Sequence, residues 1–185
     1  MKLKTIAIVA MSLVVFASCK PQKVKESVPQ KVETETINPS LLLGESIKTL
    51  LDNKTLMYNT EPGTKYSLSN KSLGDMVFKQ VDINIEREQS EIVRSICYGT
   101  GVATYEIDNK HTQMLSFLKN KYGEPTKEVY SKSVDNVAKY MRALWDVGDF
   151  GIALSTIKPL HESSGSMIIV FTTSDDVPIF HTWFQ

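Results

Sequence analysis

Tyr140-Met141-Arg142-Ala143-Leu144-Trp145-Asp146-Val147-Gly148-Asp149-Phe150-Gly151-Ile152-Ala153-Leu154-Ser155-Thr156-Ile157 is the stretch on which the fold turns. Tyr140 to Trp145 reads as a strand, Asp146 to Asp149 as a tight turn, and Phe150 to Ile157 as the partner strand. Aromatic and β-branched residues flank a turn cluster of Asp and Gly there. Pro159 to Gly165 reads as a loop. Met167 to Thr173 is a nearly continuous apolar run, the pattern of a central or doubly covered strand. Consecutive strands joined by short connections predict an antiparallel sheet, and Asp175-Asp176 ends it.

Upstream, Met114, Leu115, Leu118 and Tyr122 form an apolar helical stripe, with a candidate N-cap at Asp108 or Asn109. Gly123 and then Pro125 give a strong helix stop. The first half has the same order. Leu43, Ile47, Leu50 and Leu51 share one helical face that Asn53 or Lys54 ends. Tyr66 to Ser69 is a short strand, Gly74 marks a turn, and Val77 to Ile85 alternates with the period of a half-buried strand. Ile92 to Tyr98 is a β-rich run that Gly99-Thr100-Gly101 is expected to break. Gly74-Asp75 and Gly148-Asp149 sit alike in the two halves. The expected fold is α+β: six antiparallel strands with two helices on one face, arranged as a tandem αβββ repeat over 41–99 and 105–175. The same αβββ order also arises without duplication.

The 185 residues carry 21 basic and 21 acidic side chains. A neutral balance argues against nucleic acid as a partner, because phosphate backbones require a basic excess. Hydrophobic residues make up 42 %, which argues against wholesale disorder, and two cysteines exclude a disulfide scaffold or a four-cysteine zinc site.

The first residues have a separate logic. Lys2 and Lys4 precede an 11-residue run, Ile6 to Phe16, that is apolar except for Ser12. A bilayer span needs roughly 20 residues, so this run has the length of a signal-peptide core. Phe16-Ala17-Ser18-Cys19 then resembles a bacterial lipobox, with Phe16 where Leu is commoner. The resemblance implies that residues 1–18 are a signal peptide and that Cys19 is the lipid attachment point, anchoring the chain to a membrane it does not span. The other reading is a secretory signal followed by an incidental cysteine. Lys20 is not the Asp that retains enterobacterial lipoproteins in the inner membrane, which points to the outer membrane and its periplasmic face. Residues 19–40 hold Pro21, Pro29 and Pro39, with no aromatic residue and few apolar ones. This composition predicts a flexible tether spanning roughly 25 Å. Residues 41–185 are expected to form one α+β domain.

Lys121-Tyr122-Gly123-Glu124-Pro125, followed by the Trp145 hairpin, resembles a pattern in small secreted or lipid-anchored α+β domains common in Bacteroidota. The tandem layout is distantly similar to the β-lactamase-inhibitor-protein fold and to small outer-membrane assembly lipoproteins. Layout alone supplies no binding residue.

No set of residues assembles into a catalytic or metal motif along the chain. His111, His161 and His181 are scattered, so surface or partly buried roles are expected. Cys97 lies between Ile96 and Tyr98 and reads as a buried, inert thiol rather than a nucleophile. Ser116 to Lys119 and Ser155 to Lys158 are Ser-x-x-Lys matches without companion motifs. Ser163 to Ser166 is a loop with no helix after it to cradle phosphate. Gly99 to Gly101 reads as a plain connection. Asp146, Asp149, Asp175 and Asp176 read as turn residues. Phe180, Trp183 and Phe184 either dock on the domain or form a contact patch. The functional expectation is a non-catalytic, lipid-anchored envelope domain that binds a protein or ligand, with no cofactor. The alternatives are a periplasmic enzyme assembled only in space, or an inhibitor-like protein. The membrane through Cys19 and an envelope protein are the expected partners; oligomeric state is left open.

Overall fold

The 140–157 hairpin lies within a six-stranded antiparallel sheet. The structure is a computed structural model that describes residues 37–59, 65–86, 91–133 and 135–182. All of them belong to the compact unit Thr34–Gln185. The expected signal segment, Cys19 and most of the expected tether lie outside the described residues, as do Trp183 and Phe184.

The strands are β1 (Leu56–Tyr58), β2 (Tyr66–Leu68), β3 (Ser72–Leu73), β4 (Met76–Val77), β5 (Gln80–Glu86), β6 (Ile92–Ala103), β7 (Lys127–Lys132), β8 (Ala138–Asp146), β9 (Phe150–Pro159) and β10 (Ser164–Thr173). The helices are α1 (Ile47–Asp52), α2 (Ile107–Tyr122) and α3 (Val177–His181). The large sheet has the order β5-β6-β10-β9-β8-β7, every pairing antiparallel, while β1-β2 and β3-β4 are separate two-stranded ladders. The α+β antiparallel architecture expected from the sequence is therefore present.

Its strands are not divided three and three. The first half gives the sheet β5 and β6, and the second gives β7 to β10. Gly74-Asp75 turns the small β3–β4 hairpin outside the sheet, whereas Gly148-Asp149 lies in the β8–β9 connection inside it. Gly74 is set by close approach, because a Cβ there would meet the Phe117 ring of α2 at 2.9 Å. Gly99 to Gly101 does not break its strand. β6 runs through it to Ala103, paired with β10 from Gly99↔Ile168 to Gly101↔Ser166, so ladder hydrogen bonds override the low strand preference of glycine.

The first helix is shorter than its apolar spacing suggests. Gly44 adopts φ 81°, a left-handed conformation that interrupts a helix, and its N–H donates to the Val93 carbonyl at 2.8 Å. Ser46 bridges Ile92, and the helix begins only at Ile47. Packing also starts before Leu41. Pro39 is buried, and Asn38 Oδ1 accepts from Ser40 Oγ, Lys121 Nζ and Tyr122 Oη at 3.0, 3.1 and 3.0 Å. The chain thus enters the domain at the C-terminal end of α2.

Alternation along the strands separates two faces. One carries Val81, Ile83, Ile96, Tyr98, Met167, Ile169, Phe171, Ile152 and Leu154. Onto it α2 lays Ile107, Met114, Leu115 and Leu118, in one continuous core that also takes Ile47 and Leu50 of α1. α2 begins at Ile107 with Glu106 at the cap position, rather than Asp108 or Asn109. Its end is as the sequence predicts: Gly123 has φ 84°, and its carbonyl accepts from the Trp145 indole at 2.8 Å. That bond gives the Tyr-Gly-x-Pro and Trp-hairpin pattern a structural meaning, since the hairpin caps the helix.

The opposite face is not bare. The C-terminal segment forms the short helix α3, and Phe180 packs with Leu144, Ala153 and Val170. Docking of this segment is thus observed at Phe180. Asp176, read from the sequence as a turn residue, also has a tertiary partner. Its Oδ2 accepts from Arg94 Nε at 2.6 Å and its Oδ1 from Arg94 Nη2 at 2.8 Å. This two-pronged pair pins the start of α3 to β6.

Candidate functional site

The residues singled out along the chain do not come together. Cys97 is half-buried on the α3 face, less enclosed than expected, and burial with the Asp82 charge pushes its thiol up to about 11. A thiol so raised is a poor nucleophile. His161 and His181 are exposed. Asp146 accepts from the Gly148 N–H at 3.3 Å, as turn chemistry requires. Ser163 gives its carbonyl to the Thr104 N–H at 2.9 Å in the β9–β10 loop. Among the described residues no three His, Cys, Asp or Glu side chains converge as metal donors would, and no helix is long and apolar enough to cross a membrane.

His111 differs from its sequence reading. It is 2 % exposed, held between α2 and the sheet. Its Nδ1 lies 2.9 Å from Thr156 Oγ1, and its Nε2 is buried without a hydrogen-bond partner among the described residues. The ring meets Tyr130 edge-on at 6.1 Å. Beyond it, Tyr130 Oη donates to Glu128 Oε1 at 2.6 Å, and Lys119 bridges Glu128 at 3.2 Å and Glu124 at 3.0 Å. The Tyr130 hydrogen bond, followed by Lys119, holds the Glu128 carboxyl below its ordinary range. Burial and then Glu128 push Tyr130 up to about 12. The lattice ties α2 to β7. Thr156 is fully buried and so offers no reachable nucleophile beside the imidazole.

Burial also lowers the His111 pKa, against the opposing pull of Glu128 and Asp108. The sign of the stability effect follows. An unfolded histidine takes up a proton near pH 6.5 and the buried one takes it up less readily, so the unfolded state gains and stability falls as pH drops through that region. Between pH 7.5 and 5.5 the wild type is expected to lose up to about 1.4 kcal/mol from this group. His111→Gln should flatten that part of the profile. Urea unfolding at the two pH values measures it, and equal slopes in both proteins would refute the assignment.

Two concave surfaces flank α2. A groove of about 580 Å³ lies between its outer side and the β3–β4 hairpin, lined by Asp75, Met76, Lys110, Gln113, Phe117 and Asn120. A second cavity of about 370 Å³ sits by the N-terminal end of α2, where Asp108, Tyr130, Lys132, Lys139 and Met141 meet. Register builds that second site. Lys132 of β7 pairs with Lys139 of β8, which pairs with Lys158 of β9. Directly paired residues project to the same side of a sheet, so three lysines stand in a row on the helix face. Asp108 of α2 forms an ion pair with Lys158. The loops around this pole are joined by Leu160 N–H to Val137 carbonyl at 2.8 Å, and they expose Tyr105, Val137 and Leu160.

No family model, curated protein or solved structure matches the chain.

Proposed function

We propose that this protein is a lipid-anchored bacterial envelope protein whose folded domain binds a partner or ligand without catalysing a reaction. The observation that carries the anchoring is Cys19, placed directly after two small residues and an 11-residue apolar run led by Lys2 and Lys4. Acyl chains on one cysteine contribute about 0.8 kcal/mol per buried CH₂, so two or three of them hold a protein at a membrane. The binding reading is supported by the two concave surfaces beside α2. It is supported also by the polarity of the domain. The chain enters beside Lys121 and Tyr122, at one end of α2, and the lysine row stands at the other. A 16-residue helix separates them by about 24 Å.

Growth with an alkyne fatty acid, followed by click labelling, tests the anchor. Wild-type protein should carry label and sediment with membranes. Cys19→Ala should lose the label and leave the membrane fraction. Label retained in Cys19→Ala, or unlabelled wild type in the soluble fraction, would overturn the reading.

A further inference from the structure

We infer that Lys132 and Lys139 form the binding site for a dianionic phosphate group, the charged end of a phosphate monoester. The inference rests on the reading of the domain as a binding module, and it does not depend on the lipid at Cys19.

The argument begins with an unfavourable arrangement. Like charges directly opposite on neighbouring strands repel. Here three lysines occupy consecutive positions across β7, β8 and β9, and a single carboxylate, Asp108, answers Lys158. Among the described residues neither Lys132 nor Lys139 has an ion pair. The nearest carboxylate along the chain, Asp135, is committed to its own loop, accepting from the Val137 N–H at 3.3 Å. Lysines do guard edge strands against aggregation, and that would account for Lys132 on β7. It does not account for Lys139 and Lys158, because β8 and β9 have partners on both sides.

The Asp108 pair shows what the row accepts: an oxyanion lying against the helix face. The 370 Å³ cavity beside it opens onto the two unanswered lysines, with Tyr130 and Met141 in its wall. Two ammonium groups match one dianion. A phosphate monoester carries about −1.5 to −2 charges at neutral pH, and lysine binds phosphate as a point charge. Free phosphate esters and phosphatidate headgroups share this chemistry.

The test uses purified full-length protein in mild detergent and titrates inorganic phosphate at constant ionic strength, followed by amide NMR and thermal unfolding. Saturable shifts are expected around Lys132, Lys139 and Tyr130, with a phosphate-dependent rise in Tm. In Lys132→Gln/Lys139→Gln, affinity should fall at least about tenfold. Without phosphate that variant should melt at or above wild type, because the repulsion is gone, which shows that it folds. Asp108→Asn, which frees Lys158, should tighten binding. Mixed micelles of the same detergent with phosphatidylcholine, with and without phosphatidic acid, separate the sources: the same shifts at Lys132 and Lys139 on adding phosphatidic acid, lost in the double variant, assign a headgroup, and their absence alongside saturable phosphate binding assigns a free ester. Unsaturable shifts spread over all lysines, or equal affinity in the double variant, would overturn the inference. Neither result bears on fatty-acid labelling at Cys19, so the anchoring reading stands or falls separately.

Discussion

Trp145→Ala is expected to destabilise the domain by about 3–5 kcal/mol, the range for removing a large buried aromatic side chain. Trp145 is 1 % exposed and stands opposite Ile152 on the helix face of the sheet. Its removal would empty the core where the β8–β9 hairpin meets the end of α2. It would also leave the Gly123 carbonyl without its 2.8 Å donor, at a helix end whose last carbonyls lack helical partners. Trp145→Phe separates the two effects. It keeps most of the apolar surface and loses the indole N–H, so about 1–2 kcal/mol should go with the hydrogen bond. Urea unfolding of the three proteins measures both numbers. An alanine variant within 1 kcal/mol of wild type would mean that the hairpin does not support the helix end, approximately the size of one ordinary hydrogen bond.

Gly165→Ala is expected to cost at least about 3 kcal/mol, at or beyond the upper end for overpacking. A Cβ at Gly165 would stand 2.2 Å from the Ile157 carbonyl oxygen and 2.6 Å from Ile107 Cδ1. The Ile107 side chain can turn aside, but the strand carbonyl cannot move without disturbing the β9–β10 hairpin. Gly99 is a matched control. It lies in the paired strand β6, nothing stands within 4 Å of its Cβ position, and Gly99→Ala should leave stability nearly unchanged. Comparable stability of the two variants would show that the Ile157 carbonyl does not stand this close to Gly165.

Much of the second half was legible because its signals are local. The β8–β9 hairpin is written in its turn residues, β10 in its apolar run, and the end of α2 in Gly123 and Pro125. β7 was missed because Lys127–Lys132 is an edge strand, exposed nearly throughout, and has no alternation for burial to impose. The apolar spacing predicts a longer α1 because it continues through Gly44, whose left-handed turn and bond to Val93 depend on β6 being in place. α3 is not legible from its aromatic residues, since its helical form is tied to Phe180 packing and to Asp176 holding Arg94.

The candidate site divides in the same way. The expectation of a lipid anchor at Cys19 needed no fold, because it rests on residues adjacent in the chain: Lys2 and Lys4, the apolar run from Ile6 to Phe16, and the small pair Ala17-Ser18. The buried His111 could not be read in this way, because the Thr156 that faces it lies 45 positions away and only the docking of α2 brings the two together. The lysine row was equally hidden. Lys132, Lys139 and Lys158 are unremarkable as single charges, and strand register alone makes them neighbours. By itself, then, the sequence determined the α+β class, the helix stop, the central hairpin and the expectation of a lipid anchor, each carried by residues adjacent in the chain. The tertiary structure alone decided how the two halves share the sheet, what covers each face, and where unmatched positive charge gathers, because all three depend on which strands pair and in what register.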